Sequence, residues 1–153
     1  MSNPVNVFVY GLLMFPEIVT AITGQQYLAL SAVLPHHQRR GLSQSPGTAP
    51  LPVLVDNQDF DQDGSLLLEV DATAMAKLDF FEELDSGLYV KKEVRVLADG
   101  QWYCAICYAA GPALLPYVSG DWTPTLISAE QKAYFIQTVI PDMLRAMQAQ
   151  SST

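Results

Sequence analysis

Apolar residues along this chain fall into two rhythms, and each predicts a different element. Six stretches carry short apolar runs or two-residue alternation, the mark of strands: VNVFVYG at 5–11, YLALSAVLP at 27–35, LPVLVD at 51–56, GSLLLEVD at 64–71, LYVKKEVRVLADG at 88–100 and QWYCAICYAA at 101–110. Lys91, Glu93 and Arg95 interleave with Val90, Val94 and Val96, imperfectly but enough for a half-buried strand. Asp99 and Gly100 predict a type I′ hairpin between the last two stretches. Helical rhythm appears in three places. PEIVTAIT at 16–23 opens on Pro16, whose fixed φ suits a first helical turn. DATAMAKLDFFEEL at 71–84 has Asp71 as its N-cap. The longest helix, 128–150, begins at Ser128 with Gln131 three residues on, a capping-box pattern, and Pro141 should kink or break it. Loops are expected at 42–52 and 111–126.

Strands and helices out of strict alternation predict an α+β fold. The expected architecture is a small, strongly curved mixed β-barrel with a few packed helices. The apolar residues Tyr134, Phe135, Ile136, Val139 and Ile140 of the last helix are expected by default to cover that barrel, with a partner subunit as the alternative and the oligomeric state open.

Length and composition narrow the picture. The 153 residues suit one domain spanning 1–153, and half are hydrophobic, enough for a packed core. The formal net charge of −8 disfavours nucleic acid and anionic membrane as partners, because both attract positive surfaces. No apolar run approaches the ~20 residues that span a bilayer. The N-terminal stretch lacks the basic start of a secretory signal, so a reducing cytoplasm is the expected location. Cys104 and Cys107 have the C-x-x-C spacing, but on a strand positions three apart face opposite sides, so neither a disulfide nor a shared metal is expected.

Candidate chemistry begins with Glu82. On the 71–84 helix it shares a stripe with Met75 and Leu78, which should face the core. A carboxylate on an apolar stripe loses hydration, which raises its pKa towards the range of a general base that must later return its proton. From pattern alone, a partly exposed glutamate at a helix end, or one paired with a lysine, is the plainer reading. Glu83 lies about 100° further round, on a face shared with Asp79 that should be solvated. Gly11, after the strand-ending Tyr10, permits a turn in which the amides of Gly11, Leu12 and Leu13 point into one concavity and bind a carboxylate; from these residues alone, a plain tight turn before Pro16 is the leading reading. DFDQDGS at 59–65 matches the opening of a calcium loop, but the twelfth position is Val70 and no helix precedes it, so an acidic β-turn is expected there. His36 and His37 read as lone surface or edge histidines, and Arg39 and Arg40 as solubilising side chains or a greeting for an anionic substrate. No nucleophile elbow, P-loop or dinucleotide fingerprint is present.

The order of these segments resembles the gamma-glutamylcyclotransferase-like family. VFVYGLL, AVLP at 32–35, GSLLLEVD, LDFFEELDSGLYVKKEVRV at 78–96 and SGDW at 119–122 carry the resemblance. It implies a small mixed fold around a β-barrel with one cavity. By the family pattern, Glu82 is the acid/base, the turn at Tyr10, Gly11, Leu12 and Leu13 holds the substrate's α-amino acid end, and Tyr89 and Lys91 match a later tyrosine and basic residue. The implied reaction needs no cofactor and no metal. A γ-glutamyl amine or peptide closes on itself, releasing 5-oxoproline and the amine. The chain departs from the pattern at Leu12, where the family has Ser or Thr, at Glu83, where it has Gly, and at Lys91, where Arg is common. A non-catalytic relative that keeps the cavity is the alternative; a calcium-binding surface protein ranks last.

Overall fold

The computed structural model describes residues 3–43, 51–82 and 88–151. Five strands close into a barrel in the order β1-β3-β2-β4-β5: β1 Val5–Val9, β2 Ala29–Gly41, β3 Pro52–Val70, β4 Tyr89–Ala98 and β5 Gln101–Ala110. β1 closes the ring, antiparallel to β3 on one side and parallel to β5 on the other. Helix α1 is Pro16–Thr23 and α2 is Ala72–Phe81. The C-terminal helix comprises α3 Ala129–Tyr134, a π-helical turn Phe135–Val139 and α4 Ile140–Ser151.

β1 is buried on both faces, which explains its unbroken apolar run. Phe8 and Tyr10 point into the barrel, against Leu34, Leu54, Leu66 and Cys107. Val7 and Val9 point outward, into a second core shared with Ile18 and Ile22 of α1 and Met75 and Leu78 of α2. One strand thus belongs to both cores.

The local signals act as chemistry predicts. Asp71 caps α2, its side chain accepting from the Ala74 amide at 2.8 Å. Ser128 Oγ accepts from the Gln131 amide at 3.0 Å while Gln131 Oε1 accepts from the Ser128 amide at 2.8 Å, a complete capping box. Asp99 and Gly100 both have positive φ, 50° and 74°, as a type I′ turn demands. Pro141 has no N–H, and its ring would meet the carbonyl four residues back. The helix answers by widening just before it, and the Ile140 amide bonds the Phe135 carbonyl five residues back.

The segments read as two separate strands, 51–56 and 64–71, form one strand of 19 residues. The stretch between them is neither an acidic turn nor a calcium loop. Asp61 and Asp63 pair with Pro35 and Val33 of β2. The irregularity lies between Pro35 and His37, where His36 takes φ 65° and residues 57–60 of β3 leave the ladder. Gly64 is a notch, not a turn residue: a Cβ there would stand 2.5 Å from the Val9 carbonyl oxygen and 2.6 Å from the Phe8 ring.

Candidate active site

β1 ends in a short 3-10 turn, Leu12–Met14, whose own bonds run from the amides of Met14 and Phe15 to the carbonyls of Gly11 and Leu12. The amides of Gly11, Leu12 and Leu13 stand outside that ladder, as the first amides of any helical turn do. Gly11 is required by proximity, because a Cβ would lie 2.4 Å from Pro52 Cγ. Tyr89 supports the same contact, its hydroxyl donating to the Pro52 carbonyl at 3.2 Å.

Arg39 fixes the turn from behind. Its Nη1 donates to the Tyr10 carbonyl at 2.8 Å, and its Nε donates to the Trp122 carbonyl at 3.0 Å. The guanidinium stacks over the buried Trp122 ring, 5.3 Å from its centroid. The Arg39 amide donates to the buried Gln62 side chain at 2.7 Å. Arg39 is therefore a half-buried strap, not a solubilising tail or a greeting for substrate. Arg40 donates to the Gly120 carbonyl at 2.8 Å, so both arginines hold the SGDW segment to β2.

α2 delivers the acids. Met75 and Leu78 are buried, and Glu82 follows them at the helix C-cap, half-buried. Asp79, expected on a solvated face, is instead part of the cavity wall. Its Oδ1 accepts from the Tyr108 hydroxyl at 2.6 Å and its Oδ2 from Lys91 Nζ at 2.9 Å. Glu83 lies outside the described residues. Tyr10 Oη donates to the Tyr108 carbonyl, so the strand end and the acid-bearing helix meet at Tyr108. Burial first, then the negative charge of Glu82, holds the Tyr10 phenol well above its ordinary pKa. The Tyr108 phenol is raised by burial, by its hydrogen bond to Asp79, and by the charges of Asp79 and Glu82.

These groups share one cavity of about 910 Å³. Tyr10, Gly11, Leu12, Leu13, Glu82 and Tyr89 all line it. The C-terminal helix supplies the opposite wall through Phe135, Val139, Met143 and Ala146. Phe81 and Phe135 meet edge to face, ring centroids 6.5 Å apart. Lys91 joins through Asp79 and is absent from the lining. Sequence reasoning missed Asp79 and Tyr108. A tyrosine on an outward strand position beside a helix was the available signal for the second; the first was hidden by assuming that a polar face is a wet one.

Other sequence candidates lie elsewhere. His37, expected at a surface or edge, is buried, with Lys92 Nζ 2.7 Å and Asp56 Oδ1 3.4 Å from its Nε2. Cys104 is exposed and Cys107 buried, on opposite faces of β5. Among the described residues, no three His, Cys, Asp or Glu side chains cluster as a metal ion would need. Among them, too, no helix is long and apolar enough to cross a membrane.

Solved structures share this architecture. A protein from Arabidopsis thaliana, known from a solution structure, is 22% identical, with a TM-score of 0.62 over 95% of this chain and 92% of its own. An AIG2-like protein from Mus musculus is 18% identical, with a TM-score of 0.56 over 79% of this chain and 89% of its own. A glutathione-specific gamma-glutamyl cyclotransferase from yeast is 13% identical, with a TM-score of 0.57 over 94% and 88%. At these identities the likeness is one of fold. No curated protein sequence matches the chain. Residues 7–124, well over half of the 153, match the family described as gamma-glutamyl cyclotransferase, AIG2-like, and the chain belongs to that family.

Proposed function

We propose that this protein cyclises the γ-glutamyl group of a small amine or peptide conjugate and releases 5-oxoproline, with Glu82 as the acid/base. One observation carries the reading: in a chain of this family, Glu82 and the turn at 10–13 line the same cavity.

The α-nitrogen of the substrate attacks its own γ-carbonyl carbon. A C–N bond forms and closes the five-membered lactam; the γ-amide C–N bond breaks. An ammonium has no lone pair for attack, so its proton must first pass to a base. Over the whole reaction the α-nitrogen sheds two protons, and the amine departs as an ammonium carrying two more than it held as an amide. Glu82 is assigned both transfers. No water, electron or cofactor enters this balance. Nucleophile and electrophile belong to one molecule, so holding the α-carboxylate on the amides of Gly11, Leu12 and Leu13 aligns the attack, and alignment accounts for much of such a barrier. Tyr89 and Arg39 keep that turn in place, one through Pro52 and the other through the Tyr10 carbonyl.

The test is 5-oxoproline release from a panel of γ-glutamyl compounds, with Glu82→Gln beside the wild type. Loss of a positioned acid/base should lower kcat by about 10²–10⁴-fold. Leu12, buried where the family carries a hydroxyl, favours the second reading, a relative that binds without turnover. That reading wins if wild type and Glu82→Gln are equally silent while γ-glutamyl ligands still bind.

A further inference from the structure

The cavity is larger than the group just assigned to it. At about 910 Å³ it stands near the top of the range, about 300–1,000 Å³, that holds a drug-sized ligand, and a γ-glutamyl group fills a minor part of that. Much of the remaining wall comes from the C-terminal helix, which gives it four apolar side chains beside Asp142 and Gln150. Phe135, Val139, Met143 and Ala146 face the space beside Phe81, whose edge-to-face contact with Phe135 fixes two rings next to Glu82. This wall lies beyond residues 7–124, the part that matches the family.

The charges in the lining have one sign. Asp79, Glu82 and Asp142 reach it, and among the described residues no Lys, Arg or His does. Asp79 is engaged by Tyr108 and Lys91, and Asp142 by Arg145. Glu82 is assigned to the proton transfers. A leaving amine that carries a carboxylate, as every α-amino acid does, meets acids and no cation. One that carries a second ammonium meets acids already paired. A bulky hydrocarbon meets a surface that gains by losing water.

We infer that the released amine is bulky, apolar and free of carboxylate, an aralkyl or long alkyl amine, and that the C-terminal helix selects it. This inference rests on the cyclotransferase reading for its chemistry, but on the cavity wall for its specificity.

Four γ-glutamyl amides separate the possibilities: those of phenethylamine, phenylalanine, glycine and 1,4-diaminobutane. The expected kcat/KM for the phenethylamine conjugate exceeds that of each of the other three by about tenfold or more, since each methylene held in an apolar pocket discriminates by about 10–200-fold. Ala146 is exposed at the cavity edge, so Ala146→Trp narrows the space without disturbing a core. That variant should lower the phenethylamine-to-glycine ratio by about tenfold, and a melting curve confirms that it is folded. A glycine, phenylalanine or diamine conjugate that matches or beats the phenethylamine conjugate overturns the inference, as does a ratio that Ala146→Trp leaves in place. Should no conjugate turn over, calorimetric affinities of the same four compounds for the wild type decide it. The same order of affinity supports the wall assignment while counting against catalysis; a flat or reversed order overturns it.

Discussion

Tyr108 joins the parts of the candidate site through two bonds of opposite sense. Its carbonyl accepts from Tyr10, and its hydroxyl donates to Asp79. Both phenols are held neutral in the fold, by burial above all and then by acids beside them. The consequence for stability has a definite sign. Below pH 10 both tyrosines are protonated folded or unfolded, and their contribution is constant. Above the ordinary value of 10.0, the unfolded chain ionises them while the fold does not, so stability falls as pH climbs. In an absorbance titration of the seven tyrosines, Tyr10 and Tyr108 should stay silent until the protein unfolds. Tyr108→Phe should remove one silent phenol and lessen the alkaline loss of stability; a full set of seven titrating near 10 in folded protein would refute this. Gly64 gives a second prediction at the same scale. A methyl group 2.5 Å from a backbone oxygen cannot be relieved by turning a side chain. Gly64→Ala should cost about 1–3 kcal/mol, the usual penalty of overpacking, read as a lower urea midpoint at constant slope.

Among the elements, the turn after β1 and the strap from β2 form a unit that the sequence hides. Arg39 and Trp122 are far apart in the chain, and no local pattern says that one guanidinium will bond carbonyls at both 10 and 122. Arg39→Ala leaves those carbonyls without their donor, which should lower stability by about 1–3 kcal/mol. It should also raise KM for a γ-glutamyl substrate more than it lowers kcat, because the turn it frees is assigned to binding and not to proton transfer. Arg39→Lys, which can reach one carbonyl but not fork across two, should recover part of the loss. An Arg39→Ala enzyme with unchanged KM would sink the positioning role. The elements that were legible are those with local causes. The capping box, the Asp71 cap and the Asp99-Gly100 hairpin each depend on residues within a few positions. β3 was not legible as one strand because its middle is polar and contains Gly64. What keeps it extended is pairing with β2 and the passage of Phe8 beneath it, both of them long-range facts. Glu82 was legible because it shares a helical stripe with two core residues; Asp79 was not, because the tyrosine and lysine that engage it come from other strands.

For the molecule as a whole, β1 is the shared member of both cores and the closing strand of the barrel. Neither core can open while β1 keeps its two neighbours, so the barrel interior should be reached through global unfolding. The two cysteines test this with one reagent. Cys104 is exposed, whereas Cys107 is buried inside the barrel, with its thiol pushed up to about 12 by burial. A thiolate, not a thiol, attacks the reagent, so Cys107 is protected twice, by access and by its proton. At pH 8 Cys104 should label promptly in folded protein. Cys107 should label at a rate that rises with urea along the same slope as global unfolding. Prompt labelling of both thiols, or a Cys107 rate indifferent to urea, would mean that the barrel opens locally and that β1 does not bind the two cores into one. The same experiment in the presence of a γ-glutamyl ligand extends the argument. The cavity takes its floor from β1 and its far wall from the C-terminal helix, so a ligand bound there stabilises the native state alone. At 100 times its dissociation constant it should slow Cys107 labelling by about a hundredfold, leaving Cys104 as fast as before.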